Sequence, residues 1–181
     1  MSDAEILTLY KEEGNERAAF DLLVREYGER LYWHIRKMVV SHDDTNDILQ
    51  NCLIKAWNGL PGFREESKLY TWLYRIATNE VITSLKKKRR HLFQSLSHVG
   101  RQLSETLHAD PLFKGDVIQI KLQKAILSLP KRQRQVFNMR YFDELKYEEI
   151  SEILGTSVGA LKASYHHAAE KVEAYMKNSI D

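Results

Sequence analysis

Apolar residues recur along this chain at intervals of three and four, and strict alternation of apolar with polar positions is hard to find. That period lines one face of a helix, so the chain reads as all-α. A first helix is predicted over residues 3–13, stopping near Gly14. A second runs from about Asn15 to Val40, with Ala19, Leu22, Leu23, Tyr27, Leu31, Ile35, Met38 and Val39 as its buried stripe. Asp43 or Asp44 can cap a third, with Asp47 in the first turn, where a negative charge suits the helix dipole. Its apolar side carries Ile48, Leu49, Cys52, Leu53, Ala56 and Trp57, with Trp57 expected in the core, before a break at Gly59-Leu60-Pro61-Gly62. Ser67 is placed to open a fourth helix through Leu69, Trp72, Leu73, Ile76, Ala77 and Leu85, ending in the basic run Lys86-Lys87-Lys88-Arg89-Arg90-His91.

Over residues 92–115 the periodicity fades, Ser, His, Gly and Asp rise, and Pro111 interrupts. A stretch of this length without a helical pattern reads as a flexible linker between two small helical domains, 1–91 and 116–181. Helical spacing resumes at Val117 and continues to Leu129-Pro130, then over Lys131–Tyr141, Lys146–Leu154 and Ser157–Met176. In the last pair Ile150, Ile153, Leu154, Val158 and Leu161 fit the inner faces of two short crossing helices. Gly155 suits a left-handed residue at the first helix end, and Ser157 suits the N-cap of the second. This is the pattern of a helix-turn-helix, whose second helix enters the major groove N-terminus first. A purely structural helical hairpin is the alternative for the segment taken alone.

Composition narrows the function class. A hydrophobic share of 43% with 29% charged residues is that of a globular protein. A net charge of +2 does not by itself announce a nucleic-acid binder, so such a role depends on where the cations sit. The single cysteine, Cys52, excludes an internal disulfide and a cysteine-based zinc site, and a reducing cytoplasm is expected. No signal peptide and no membrane span are read. No phosphate-cradling glycine loop, metal-ligand spacing or nucleophile–base signature is present, so neither an enzyme nor a cofactor is expected.

Three ordered blocks resemble the small two-domain sigma factors of the extracytoplasmic-function (ECF) group of the sigma-70 family. They are Asp44-Thr45-Asn46-Asp47-Ile48-Leu49-Gln50-Asn51-Cys52-Leu53-Ile54-Lys55-Ala56-Trp57 with Phe63-Arg64; Ser67 to Arg90, centred on Thr71-Trp72-Leu73-Tyr74-Arg75-Ile76-Ala77-Thr78-Asn79; and Leu129-Pro130 to Lys171. The resemblance implies a subunit that directs core RNA polymerase to promoters. The first domain would bind the polymerase clamp and the −10 element, and the second the polymerase flap and the −35 element. An anti-sigma factor would be a further partner.

On that resemblance Asp47, Gln50, Asn51 and Ile54 would meet the clamp, although the family commonly has Glu where Asn51 stands. Asn79, with amide donor and acceptor together, would read an extruded −10 base, beside Arg75 and the aromatics Tyr70 and Tyr74. Trp72 falls in the apolar stripe and is assigned to packing, leaving Tyr70 and Tyr74 as the exposed pair. Lys86, Lys87, Lys88, Arg89 and Arg90 would serve phosphates. Ser157, Lys162, Ala163, His166 and His167 would face the −35 element. Fewer cations stand here than is usual in the family, and adjacent His166 and His167 diverge by ~100° on a helix, which argues against chelation. The bland alternatives are solvated helix faces and dipole-compatible cations at a helix end. At the level of function, a dimeric helix-turn-helix regulator would explain the C-terminal segment but not the first two blocks.

Overall fold

A computed structural model describes residues 3–39, 41–91 and 117–178, of which 88–91 and 117 are described for their backbone alone. The predicted linker, 92–115, lies outside the described residues. All regular structure within them is helical: α1 (Asp3–Lys11), α2 (Glu16–Val39), α3 (His42–Gly59), a 3₁₀ turn (Leu60–Gly62), α4 (Leu69–His91), α5 (Val117–Ser128), α6 (Lys131–Tyr141), α7 (Tyr147–Leu154) and α8 (Val158–Asn178). The chain divides into two compact units, Met1–Leu85 and Lys86–Asp181.

In the first unit α1 packs on α2 through Ile6 and Leu7, and α2 buries Leu23, Leu31 and Ile35. From α4 come Leu69, Leu73, Ala77 and Val81, all buried. Ser41, rather than Asp43 or Asp44, caps α3: its hydroxyl accepts from the Asp44 N–H at 3.4 Å, and its carbonyl accepts from the Thr45 hydroxyl at 2.7 Å. Asp43 and Asp44 instead occupy the first turn, where the dipole favours them. The opening of α4 differs in the same way. It begins at Leu69, and the Leu69 N–H donates to the Asp3 carboxylate at 3.1 Å, a cap supplied by α1 from 66 residues away. Local sequence cannot announce a partner so distant.

Two aromatic assignments are corrected. Trp57 is 41% exposed, because Thr45, Ile48, Cys52 and Ala56 already fill the buried line of α3 at three- and four-residue spacing. Tyr74, expected at the surface beside Tyr70, is only 2% exposed. It lies against the buried His34 ring of α2 with centroids 4.6 Å apart. Trp72 keeps the packing role, half-buried against Phe63 and over Gly59, where an added Cβ would sit 3.1 Å from the indole.

Burial sets the chemistry of Cys52, whose thiol is pushed up from 9.0 to about 12, with Glu80 adding to the shift. The folded chain therefore keeps a proton that the unfolded chain releases. This contribution to stability is complete below about pH 9 and is lost as pH rises towards 12. Burial raises Tyr27 as well, with the same sign. The unfolding free energy from denaturant titrations should fall between pH 8 and about pH 10.5 by up to ~2 kcal/mol, moving the midpoint down with it, and Cys52→Ala should flatten that fall. A midpoint independent of pH over this range would contradict it.

The second unit is built on Ala125, Ile126, Leu129, Phe137, Ala168 and Val172. Phe137 stacks on Tyr165 at 5.7 Å, tying α6 to α8. The Lys121 ammonium donates to the Met176 carbonyl at 2.6 Å, placing a cation at the C-terminal end of α8. Leu161, fully buried, anchors the start of α8, and Ile150 and Ile153 anchor α7.

Candidate nucleic-acid and protein interfaces

Three exposed surfaces emerge from these helices. On α3, Asp47, Gln50, Asn51 and Ile54 all reach solvent, Ile54 at 51% exposure. Gln50 and Ile54 join Phe20, Asn46, Leu49, Leu53 and Trp57 around an apolar groove of about 430 Å³. Phe20 and Trp57 meet edge to face across it, with centroids 5.1 Å apart. Asp47 and Asn51 do not line the groove. Sequence reasoning missed Phe20, Asn46 and the exposure of Trp57. The usable signal was the row Asn46, Gln50, Leu53, Trp57, which turns about 100° away from the buried row.

On α4, Arg75 and Asn79 are exposed one turn apart, and Lys86 and Lys87 are exposed further along the same helix. Thr83, unnoticed in the sequence, completes the row 75–79–83–86; its hydroxyl donates to the Asn79 carbonyl at 2.8 Å. Tyr70 is half-buried, edge-on to Tyr74 at 6.4 Å, with the Lys68 ammonium 5.4 Å from its ring centroid. Tyr74 itself is not available at this surface. Behind Asn79, the His34 Nε2 and Thr78 Oγ1 lie 3.1 Å apart in a buried contact between α2 and α4. The side chains of Lys88, Arg89 and Arg90 lie outside the described residues.

At the α7–α8 turn, Gly155 takes φ 60° and ψ 40°, the left-handed cap expected of glycine, and its N–H donates to the Ser151 carbonyl at 2.8 Å. At the start of α7 the Glu149 carboxylate accepts from the Lys146 N–H at 2.9 Å. The Ser157 hydroxyl accepts from the Ala160 N–H at 3.4 Å, capping α8 as anticipated. Ser157, Lys162, Ala163, His166 and His167 are all exposed. His166 and His167 both lie against Glu170, at 3.3 and 3.5 Å. Lys162 lies one turn before this cluster, nearer the start of α8. Among the described residues no group of His, Cys, Asp and Glu is placed to hold a metal ion. Arg140 donates to the Leu145 carbonyl at 3.2 Å and lies 5.4 Å from the Tyr147 ring centroid. Arg134 is half-buried, and burial lowers its pKa. None of the described helices is long and apolar enough to cross a membrane.

Comparison with known proteins gives these surfaces a family. Residues 23–91 match the sigma-70 region 2 family, and residues 119–172 match sigma-70 region 4. The chain is 30% identical over 171 residues to the ECF RNA polymerase sigma factor SigW of Bacillus subtilis, covering 90% of this chain and 91% of that protein. It is also 30% identical over 177 residues to the ECF RNA polymerase sigma-E factor of Escherichia coli, covering 93% and 92%. Among solved structures, the sigma factor RpoE of Bartonella quintana, in complex with the anti-sigma factor NepR, superposes with TM-score 0.72 at 22% identity, over 88% of this chain and 98% of that one. CnrH, in complex with the cytosolic domain of CnrY, gives 0.67 at 21% identity, over 98% and 96%. With a helix-turn-helix in one unit and an exposed polar helix face in the other, this chain belongs to the ECF group of the sigma-70 family of promoter-recognising factors.

Proposed function

We propose that the protein directs core RNA polymerase to a defined set of promoters, with residues 1–91 serving the −10 element and clamp, 116–181 the −35 element and flap, and 92–115 as a tether. One observation carries the reading: the exposed face of α4 and the helix-turn-helix occur in one chain, each within the span of its own sigma region. Asn79 presents an amide for a base edge, with Arg75, Tyr70 and the cations of the α4 terminus along the separated strand. Tyr74 supports that face from behind. Ser157, Lys162, Ala163, His166 and His167 approach the −35 duplex, and Gln50 and Ile54 engage the clamp with Asp47 and Asn51 at the margin. RNA synthesis itself belongs to the polymerase; the factor needs no cofactor and works in the cytoplasm. Relatives of this fold in complexes with NepR and with CnrY support a proteinaceous inhibitor as a further partner.

Transcription in vitro with core polymerase and a promoter library tests this. The unaltered protein should start RNA at defined sites. Asn79→Ala should relax −10 preference, and Lys162→Ala should weaken dependence on the −35 element by about tenfold, as expected for loss of one good groove contact. No defined start site with any promoter would overturn the reading, and an unchanged −10 preference in Asn79→Ala would remove that residue from it.

A further inference from the structure

We propose that α1 is a splint for α4, and that Asp3 is a positioning residue for promoter opening; this rests on the reading of α4 as the strand-holding helix. A single carboxylate joins three helices. One oxygen of Asp3 accepts the Leu69 N–H at 3.1 Å, and the other accepts the Tyr27 hydroxyl of α2. The other end of α1 is tied as well, where the Lys11 ammonium meets the Glu65 carboxylate at 2.6 Å. Glu65 has φ 59°, a left-handed conformation that a non-glycine residue adopts only when its surroundings hold it.

Asp3 and Lys11 stand at opposite ends of α1, and the bent segment leading into α4 is fastened to both, at Glu65 and at the Leu69 N–H. Ile6 and Leu7, buried against α2, keep the splint in place. The two ties are unequal. Lys11–Glu65 is exposed at both side chains and is worth little alone, whereas the Asp3 contacts are partly buried and satisfy a donor at a helix N-terminus. Leu69 stands six residues before Arg75 and ten before Asn79, within one continuous helix. Fixing its N–H therefore fixes the rotational phase in which those side chains meet a strand. The groove on α3 receives neither tie, so polymerase affinity should be spared. Asp3 also precedes the residues matched to sigma region 2, which begin at 23.

The test uses the full chain as Asp3→Ala, Asp3→Asn and Asn79→Ala, with core affinity, thermal melting and permanganate-probed open-complex lifetime measured on one promoter. Losing a cap is worth a factor of about five to ten, so Asp3→Ala should shorten lifetime by about that much and leave core affinity within about twofold. Asp3→Asn, which keeps only one of the two acceptor oxygens, should recover part of the loss and leave the lifetime about twofold short. An unchanged lifetime in Asp3→Ala overturns the proposal, as does a parallel fall in core affinity, which would signal general unfolding. Should Asp3→Ala fail to fold, Asp3→Asn decides: a lifetime equal to that of the unaltered protein with core affinity intact overturns the proposal, and a shortened one supports it. Shortening by Asp3→Ala with none from Asn79→Ala supports the splint and removes Asn79 from opening; the reverse pair sinks the splint and keeps Asn79.

Discussion

Ile54→Asp should lower affinity for core polymerase by about thirtyfold or more without lowering the melting temperature. Ile54 is 51% exposed and lines an apolar groove with Phe20, Leu49, Leu53 and Trp57, so an aspartate there disturbs no core. It would, however, carry a charge into any interface formed over the groove. Anchors of this kind, aromatic and aliphatic side chains in a desolvated pocket, typically cost 2 kcal/mol or more when removed, which is about thirtyfold. Trp57→Ala should act in the same direction, because the indole closes one wall against Phe20. Asp47→Ala and Asn51→Ala, outside the groove, should cost less. Titration of labelled core polymerase reads all four variants. If Ile54→Asp binds as well as the unaltered protein, the polymerase does not use this groove.

The largest effect on folding is expected from Leu161→Ala. Leu161 is fully buried at the start of α8, and large-to-small changes at such sites cost about 2–5 kcal/mol. The loss should be confined to one of two thermal transitions. The Ala125–Val172 core would melt early, while the unit containing Leu23, Leu31 and Leu73 keeps its midpoint. Helix-turn-helix contacts would go with the first transition, so −35-dependent transcription should fall at temperatures where core binding persists. Calorimetry showing both transitions shifted equally would mean that the two units do not unfold separately.

The helices and their breaks were legible because apolar periodicity and punctuation at Gly14, Gly59-Leu60-Pro61-Gly62, Leu129-Pro130 and Gly155 are local properties of sequence. The α7–α8 turn was legible for the same reason: Gly155 and Ser157 act within four residues of their own position. What escaped depends on distant neighbours. Trp57 and Tyr74 are large, amphipathic and on helices with broad apolar stripes, and periodicity cannot say which edge of a broad stripe faces water. His34 of α2 decides it for Tyr74, 40 residues away in sequence. Ser67 looked like the start of α4 because capping rules consider only the residue before a helix, whereas the donor at Leu69 is met from α1. Among candidate interface residues, Gln50, Ile54, Arg75, Asn79 and Lys162 are exposed as sequence alone suggested. Phe20 and Thr83 were invisible as interface residues, since one belongs to a neighbouring helix and the other is chemically unremarked.

At Gly59 the last turn of α3 passes under the indole of Trp72, with 3.1 Å available where a side chain would begin. Any replacement must push that ring, and the ring also touches Phe63 on the way into α4. A single codon therefore has little freedom to drift, because its change would reach both α3 and α4, the helices that carry the two proposed interfaces. Diversification of such a factor towards new promoters would then have to come from residues that leave this corner untouched.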